Sequence, residues 1–360
     1  MNHWKRCIIQ REPGVVETFC RDFLNDSKRK LLIIAGAGFD PRSVAVTECI
    51  ARLEKPEKAA VFIREERPIS TPGLRELADK NATKMAGLIG SSKIVEVKIF
   101  AEDNTVIGGR EIVGVLAGID FTGTTDVLLD ISAISTGLYF PAAKFLHQVA
   151  MQNPHLNVHL FVFEEPYIDH SIRGISCDMP APVHAFRGKL GLDQIAGSVK
   201  LWLPQIVPKR RAMFERLFQH LSVDDVCPIL PFPGTDPRFP DLLVEEYREP
   251  LIAWEVDYRN FVYAAENDPL DLYRTIRRLD DARNRVFAEA GGSLVIISPT
   301  GSKILSIGAL LAALDRDLPV VLIESLGYEV DLGALERRLG SDQPPRLVHV
   351  WLDGEAYSGI

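Results

Sequence analysis

Ser298-Pro299-Thr300-Gly301-Ser302-Lys303 puts a glycine, three hydroxyls and a lysine in six consecutive positions with no carboxylate among them. The string follows the apolar run Leu294 to Ile297 and opens the apolar stretch Ile304 to Leu314, so it reads as a turn from a strand into a helix. Backbone N–H groups at a helix start, with a lysine beside them, form a site for an anion such as a phosphate. The spacing is not that of a Walker A loop. Ser298, Thr300, Gly301, Ser302 and Lys303 are the expected contacts of such a ligand; a small-residue turn with an exposed lysine is the plainer alternative.

A second constellation lies in LLIIAGAGFDPR, Leu31 to Arg42, and returns in ILPFPGTDPR. Gly38, Asp40, Pro41 and Arg42 reappear as Gly234, Asp236, Pro237 and Arg238, each pair 196 residues apart. Asp before Pro is a helix cap followed by the residue best suited to the first helical position, which explains much of the motif structurally. A carboxylate already seated at a helix start repels a phosphate. If these turns touch a ligand, Asp40 or Asp236 accepts a hydrogen bond from a hydroxyl, and Arg42 or Arg238 is the nearby cation.

Glu102 and Asp103 in AEDN, and Glu266 and Asp268 in AEND, are the other carboxylates that recur together. Acids at strand ends can hold Mg²⁺ or act as a general base, so these four are the weak catalytic candidates, with solvated loops as the alternative. His155 and His159 are four apart but enter a strand with no third ligand in view, and no metal site is expected. There is no GxSxG nucleophile elbow.

The elements that must position these residues alternate. Buried strands are expected at Leu31–Ala35, Ala59–Ile63, Ile94–Phe100, Asp126–Ile131 and Val158–Phe163, with helices at Pro13–Leu24, Leu74–Leu88, Ile107–Leu116 and Tyr139–Met151. Downstream, a helix over Pro208–Leu221, a strand over Leu251–Val256, a helix over Leu270–Leu279 and strands over Leu294–Ile297 and Val320–Ile323 repeat the plan. The expected fold class is α/β: two tandem, duplicated Rossmann-like domains with mainly parallel sheets, at residues 1–206 and 207–360. In that alignment each GxDPR turn follows the same strand of its own domain, and LIAWEV matches AAVFI.

A chain of 360 residues with 46% hydrophobic and 25% charged residues has ample material for two cores. A net charge of -8 argues against a grip on duplex nucleic acid through its phosphates. Five cysteines without CxxC spacing, a polar beginning and no long apolar run point to a cytoplasmic protein, with no membrane partner.

Two resemblances follow from these motifs. GAGFDPR resembles the first glycine motif of a branch of S-adenosylmethionine-dependent methyltransferases, which implies a cofactor close to the glycines and an acid at the end of the second strand, for which Glu65 and Glu66 stand ready. SPTGSK resembles the strand-end loop of CRISPR-associated Rossmann-fold (CARF) sensor domains, which implies a cyclic oligonucleotide ligand and a role as sensor in antiviral defence. The expected function is therefore binding of a nucleotide-like or phosphorylated small ligand, as a sensor or accessory subunit of a prokaryotic defence system with protein partner chains. The alternatives are an enzyme acting on a nucleotide, a methyltransferase, or a non-catalytic scaffold subunit; no cofactor is assigned.

Overall fold

The computed structural model describes residues 3–165, 168, 171–190, 198–333 and 346–357. In chain order the first elements are β1 (Ile8–Gln10), α1 (Val15–Phe19) running into a π-helical turn (Cys20–Leu24), β2 (Lys30–Gly36), α2 (Ala45–Ala51) and β3 (Glu57–Glu66). Next come α3 (Pro72–Leu88), β4 (Ser92–Lys98), α4 (Gly108–Ala117), β5 (Asp126–Asp130), α5 (Thr136–Gln152), β6 (Asn157–Glu164) and β7 (Ile172–Pro182). They are followed by β8 (Val199–Pro204), α6 (Arg211–Leu221), β9 (Asp225–Val226), β10 (Ile229–Pro231), α7 (Phe239–Glu246) and α8 (Arg248–Ala253). The last are β11 (Val262–Ala264), α9 (Pro269–Val286), β12 (Ser293–Ser298), α10 (Lys303–Arg316), β13 (Val321–Val330) and β14 (Arg346–Asp353).

The chain forms two compact units of α/β class. Unit 1 comprises His3–Ile175 with Ser325–Ile360, and unit 2 is Ser176–Glu324. This differs from a tandem division at residues 206 and 207. β14 lies between β6 and β1, antiparallel to both, so the end of the chain completes the first sheet. β8 lies parallel to β12 and so belongs to unit 2. The reason is hydrogen bonding across sheets, which no local pattern encodes. The chain passes between the units within β7 and again within β13.

In unit 1 the strand order is β4-β3-β2-β5-β6-β14-β1, with the first five parallel. β5 is buried along its whole length and β2 along all but Lys30, because helices cover both faces; that is why these strands read as continuous apolar runs. One face packs Ile33, Phe62, Leu128 and Phe161 under Val16 and Cys20 from the first helix and Val46 and Ile50 from α2. Full burial of each such aliphatic or aromatic side chain contributes about 1.5–3 kcal/mol.

Unit 2 has the parallel sheets β12-β8-β9 and β10-β11, linked by a single bridge from Gln205 to Ile229. A bridge from Ile297 to Val320 leads on towards β13. The order is thus β11, β10 with β9, β8, β12, then β13, the same plan as β4, β3, β2, β5, β6. Trp202, Phe214, Leu217, Leu251, Trp254 and Ile296 fill one face.

Two expected correspondences change accordingly. GAGFDPR follows β2, the first strand of its plan, whereas GTDPR follows β10, which occupies the place of β3; the repeated motif is one local capping device used after different strands. AEDN follows β4 and AEND follows β11. Leu251–Val256, expected as a strand, begins within helix α8, since a short apolar run satisfies a buried helix as well as a strand.

Candidate functional site

The strand order reverses between β2 and β5 in unit 1 and between β8 and β12 in unit 2, and open parallel sheets place ligands at such points, beyond the strand carboxyl ends. In unit 1 the loops after β2 and β5 meet backbone to backbone. A Cβ on Gly36 would stand 2.6 Å from the Ala133 carbonyl oxygen, so only glycine fits; Gly38, two residues on, has open space around its Cβ position.

Asp40 caps the short 3₁₀ turn Pro41–Val44 by accepting from the Arg42 N–H at 2.9 Å. The Arg42 guanidinium also donates to it, Nη2 to Oδ2 at 2.7 Å and Nε to Oδ1 at 3.0 Å, and both residues are buried. Asn81 of α3 donates to the Gly38 and Asp40 carbonyls at 2.8 and 3.1 Å. The acid and the cation expected to meet a ligand are here spent largely on each other.

Glu65, at the end of β3, is committed too. Its Oε1 accepts from the Ser135 N–H at 2.7 Å and its Oε2 from Arg67 Nη2 at 2.6 Å. Arg67 also donates to the Ser325 carbonyl. Asp130 accepts from the backbone and hydroxyl of Ser132. The Ser135 hydroxyl, at the start of α5, is buried and makes no hydrogen bond among the described residues.

In unit 2 the centre is Gln205, one residue beyond β8 and missed by the sequence reading. It is 2% exposed. Its Oε1 accepts from the Gly301 N–H at 3.1 Å, its carbonyl accepts from the Thr300 hydroxyl at 2.7 Å, and its Nε2 donates to the Leu305 carbonyl at 3.4 Å. A Cβ on Gly301 would sit 2.8 Å from Gln205 Oε1. Ser302 caps α10 by accepting from the Leu305 N–H at 3.3 Å, and Lys303 is its first residue. Ser298 is buried between the Trp202 indole N–H, which it accepts at 2.9 Å, and the Val321 carbonyl, to which it donates at 2.7 Å; its role is to hold β12.

The second GxDPR turn is built differently from the first. Asp236 accepts from the Arg238 N–H at 2.9 Å, but both residues are exposed. Gly234 lies against Glu266, whose Oε2 accepts from the Thr235 N–H at 2.7 Å. Asp268 caps α9 through the Leu270 N–H at 3.0 Å. In unit 1, Asp103 accepts from the Thr105 N–H at 2.9 Å in an exposed turn, and bonds to Thr105 hold its carboxyl below the usual range. Glu102 is exposed beside it. The four weak catalytic candidates are thus turn and cap residues, with Glu102 and Asp103 in unit 1 and Glu266 and Asp268 in unit 2. A groove lined by Arg211, Phe218, Glu249 and Trp254 among others lies on α6 and α8 and includes none of these strand-end residues.

A polar string also crosses the core of unit 1. Asp126 Oδ1 contacts His159 Nε2 at 3.2 Å; His159 Nδ1 contacts His349 Nε2 at 2.9 Å; His349 Nδ1 contacts Gln10 Oε1 at 3.1 Å. Asp126, His159 and His349 are fully buried, and Phe19 stacks on His349 with ring centres 4.2 Å apart. Burial pushes both imidazoles below their ordinary range, His349 furthest, with the neighbouring His159 adding to it. Burial would raise the Asp126 carboxyl, but His159, Thr125 and Arg29 outweigh it and hold it low. His155 is exposed, so the partner of His159 is 190 residues away rather than four. Among the described residues no group of three or more His, Cys, Asp or Glu is placed to hold a metal ion.

No protein-family model matches the sequence, and no curated protein does. Among solved structures, a functionally unknown protein, PA1789 from Pseudomonas aeruginosa PAO1, is 10% identical over 88% of this chain and 99% of its own, with a TM-score of 0.23, too low to bear on fold or function. Among the described residues no helix is long and apolar enough to cross a membrane.

Proposed function

We propose that the chain binds a nucleotide-like or otherwise phosphorylated small ligand, with its anionic part at the loop Ser298–Lys303 of unit 2. The supporting observation is the position of that loop at the reversal between β8 and β12, fixed by Gln205 where α10 begins. The loop carries no carboxylate, so the helix start and Lys303 give it a positive field. As the resemblance of SPTGSK implies, the chain serves as a sensor or accessory subunit of a prokaryotic defence system, and a cyclic oligonucleotide is the first ligand to try. A cytoplasmic home suits five free cysteines. An S-adenosylmethionine-dependent methyltransferase is the second reading, favoured by the open space at Gly38 and disfavoured by the commitment of Glu65 to Arg67 and Ser135.

Calorimetric titration with mononucleotides, cyclic oligonucleotides and S-adenosylmethionine tests this. Binding of a phosphorylated ligand that Lys303→Ala weakens about tenfold, roughly 1.4 kcal/mol, is the expected result. Binding of S-adenosylmethionine alone, abolished by Gly38→Val, would favour the methyltransferase. Turnover of a bound nucleotide, lost in Glu266→Gln, would make the chain an enzyme. Binding of none of them would leave the scaffold reading.

A further inference from the structure

The polar string in the core of unit 1 has three contacts, and each needs one proton between its two atoms. Asp126 Oδ1 on β5 meets His159 Nε2 on β6, His159 Nδ1 meets His349 Nε2 on β14, and His349 Nδ1 meets the side chain of Gln10 on β1. Phe19 and Phe161 lie against the His349 ring, with ring centres 4.2 and 4.9 Å away, and Trp351 lies 4.9 Å from that of His159. The string has polar partners along its length and apolar rings beside it.

Asp126 fixes the direction of the string. Its Oδ2 accepts from the Thr125 hydroxyl at 2.6 Å, and its Oδ1 accepts from Asn157 Nδ2 at 3.1 Å and Arg29 Nη1 at 3.3 Å, so it stands as a carboxylate among donors. His159 must then donate from Nε2. A neutral imidazole carries a single N–H, so His159 Nδ1 accepts from His349 Nε2, and His349 Nδ1 is left as an acceptor. With both rings neutral, Gln10 must offer its amide N–H to that nitrogen. In the structure Gln10 Oε1 faces it at 3.1 Å, the arrangement that a third proton on His349 Nδ1 completes. The two ends of an amide have nearly the same shape, and a half-turn exchanges them.

We propose that the string is a one-proton switch read by Gln10: with two protons in the string its amide donates to His349 Nδ1, and with three it turns over and accepts. The third proton comes from solvent on the side of Gln10, which is partly exposed while both rings are buried. The charged groups facing the pair are Asp126 of β5, Arg29 before β2 and Glu355 after β14, one cation against two anions, so the added proton leaves the cluster neutral. The first helix and its π-helical turn contribute the uncharged rings of Phe19 and Phe23. Burial opposes the charge and keeps the third proton off at neutral pH. Gln10 pairs with His349 in the ladder of β1 and β14, so the proton count is felt at the edge of the sheet.

Nitrogen NMR of the folded full chain, with imidazole and amide nitrogens labelled, tests this. In the wild type at neutral pH both rings should carry hydrogen on Nε2 alone, and the Gln10 amide nitrogen should show coupling through its hydrogen to His349 Nδ1. As acid is added in steps, His349 Nδ1 should gain a proton and that coupling should vanish in the same transition. Gln10→Glu puts an acceptor in place of the amide and should bring the third proton in at neutral pH. Hydrogen on Nδ1 of either ring in the neutral wild type, unfolding in acid with both rings still neutral, or ring nitrogens in Gln10→Glu that match the wild type would overturn the proposal. The wild-type titration decides it even where the variant folds poorly.

Discussion

At the carboxyl ends of β2, β3 and β5 the chain places Asp40, Glu65 and Asp130, whereas at those of β8 and β12 it places Gln205, Thr300, Gly301 and Lys303. The strand plan is shared, and the chemistry at its mouth is not. In unit 1 each carboxylate accepts hydrogen bonds from its own surroundings: Asp40 from Arg42, Glu65 from Arg67 and Ser135, Asp130 from Ser132. In unit 2 an uncharged amide fixes a loop without acids. A mouth whose acids accept hydrogen bonds from their own neighbours differs in chemistry from one whose backbone is held by a neutral side chain.

The largest test of this contrast is the pair of arginines. Arg42→Ala leaves the buried Asp40 carboxylate without its guanidinium and should cost unit 1 about 3–5 kcal/mol. Arg238→Ala, at the exposed second copy, should stay within about 0.5 kcal/mol. Urea unfolding resolved by hydrogen exchange in each unit measures both, and equal losses would break the comparison.

Acid should separate the units next. Both buried histidines have lowered folded pKa values, so below about pH 6.5 the unfolded chain takes up two protons that folded unit 1 refuses. Stability is then complete above that pH and falls below it, by up to about 2.7 kcal/mol per pH unit until a folded imidazole titrates. The charged groups facing the pair are Asp126, Arg29 and Glu355; Asp126 stays ionised in both states until near pH 4, so it adds no slope in that window. His349→Gln should halve the slope in unit 1, read from hydrogen exchange across β14. Among the described residues of unit 2 no histidine is fully buried, and its profile should be flatter.

Glycine gives a third contrast. Gly36→Ala drives a Cβ against backbone at Ala133 and should destabilise unit 1 by about 1–3 kcal/mol in urea titration. Gly301→Ala meets the end of a side chain, Gln205, which turns aside by giving up its bond to the Gly301 N–H, at a cost of about 0.5–1.5 kcal/mol. A separate effect is on ligand affinity: Lys303→Ala should weaken a phosphorylated ligand about tenfold while Arg42→Gln leaves it unchanged, in calorimetric titrations.

The alternation of strands and helices was legible because buried parallel strands must be apolar on both faces. Asp40 was legible as a cap because capping is local. Local devices recur for local reasons, which is how the two GxDPR turns came to resemble equivalents while following different strands of the plan. Gln205 was silent because a glutamine after a strand has no sequence signature until Gly301, 96 positions on, comes to lie beside it. The same holds for His349, whose meaning depends on β14 crossing back beside β6.

That return of β14 sets an order of assembly. On a ribosome, every strand of unit 2 from β8 to β12 emerges before Arg346, so its parallel core can close while the first sheet still ends at an open β6. Until the final strand arrives, His159 has no imidazole partner and β6 offers a row of unpaired amides to any neighbouring chain. Chains stalled before Arg346 should therefore protect unit 2 from protease and leave unit 1 open to digestion and prone to self-association.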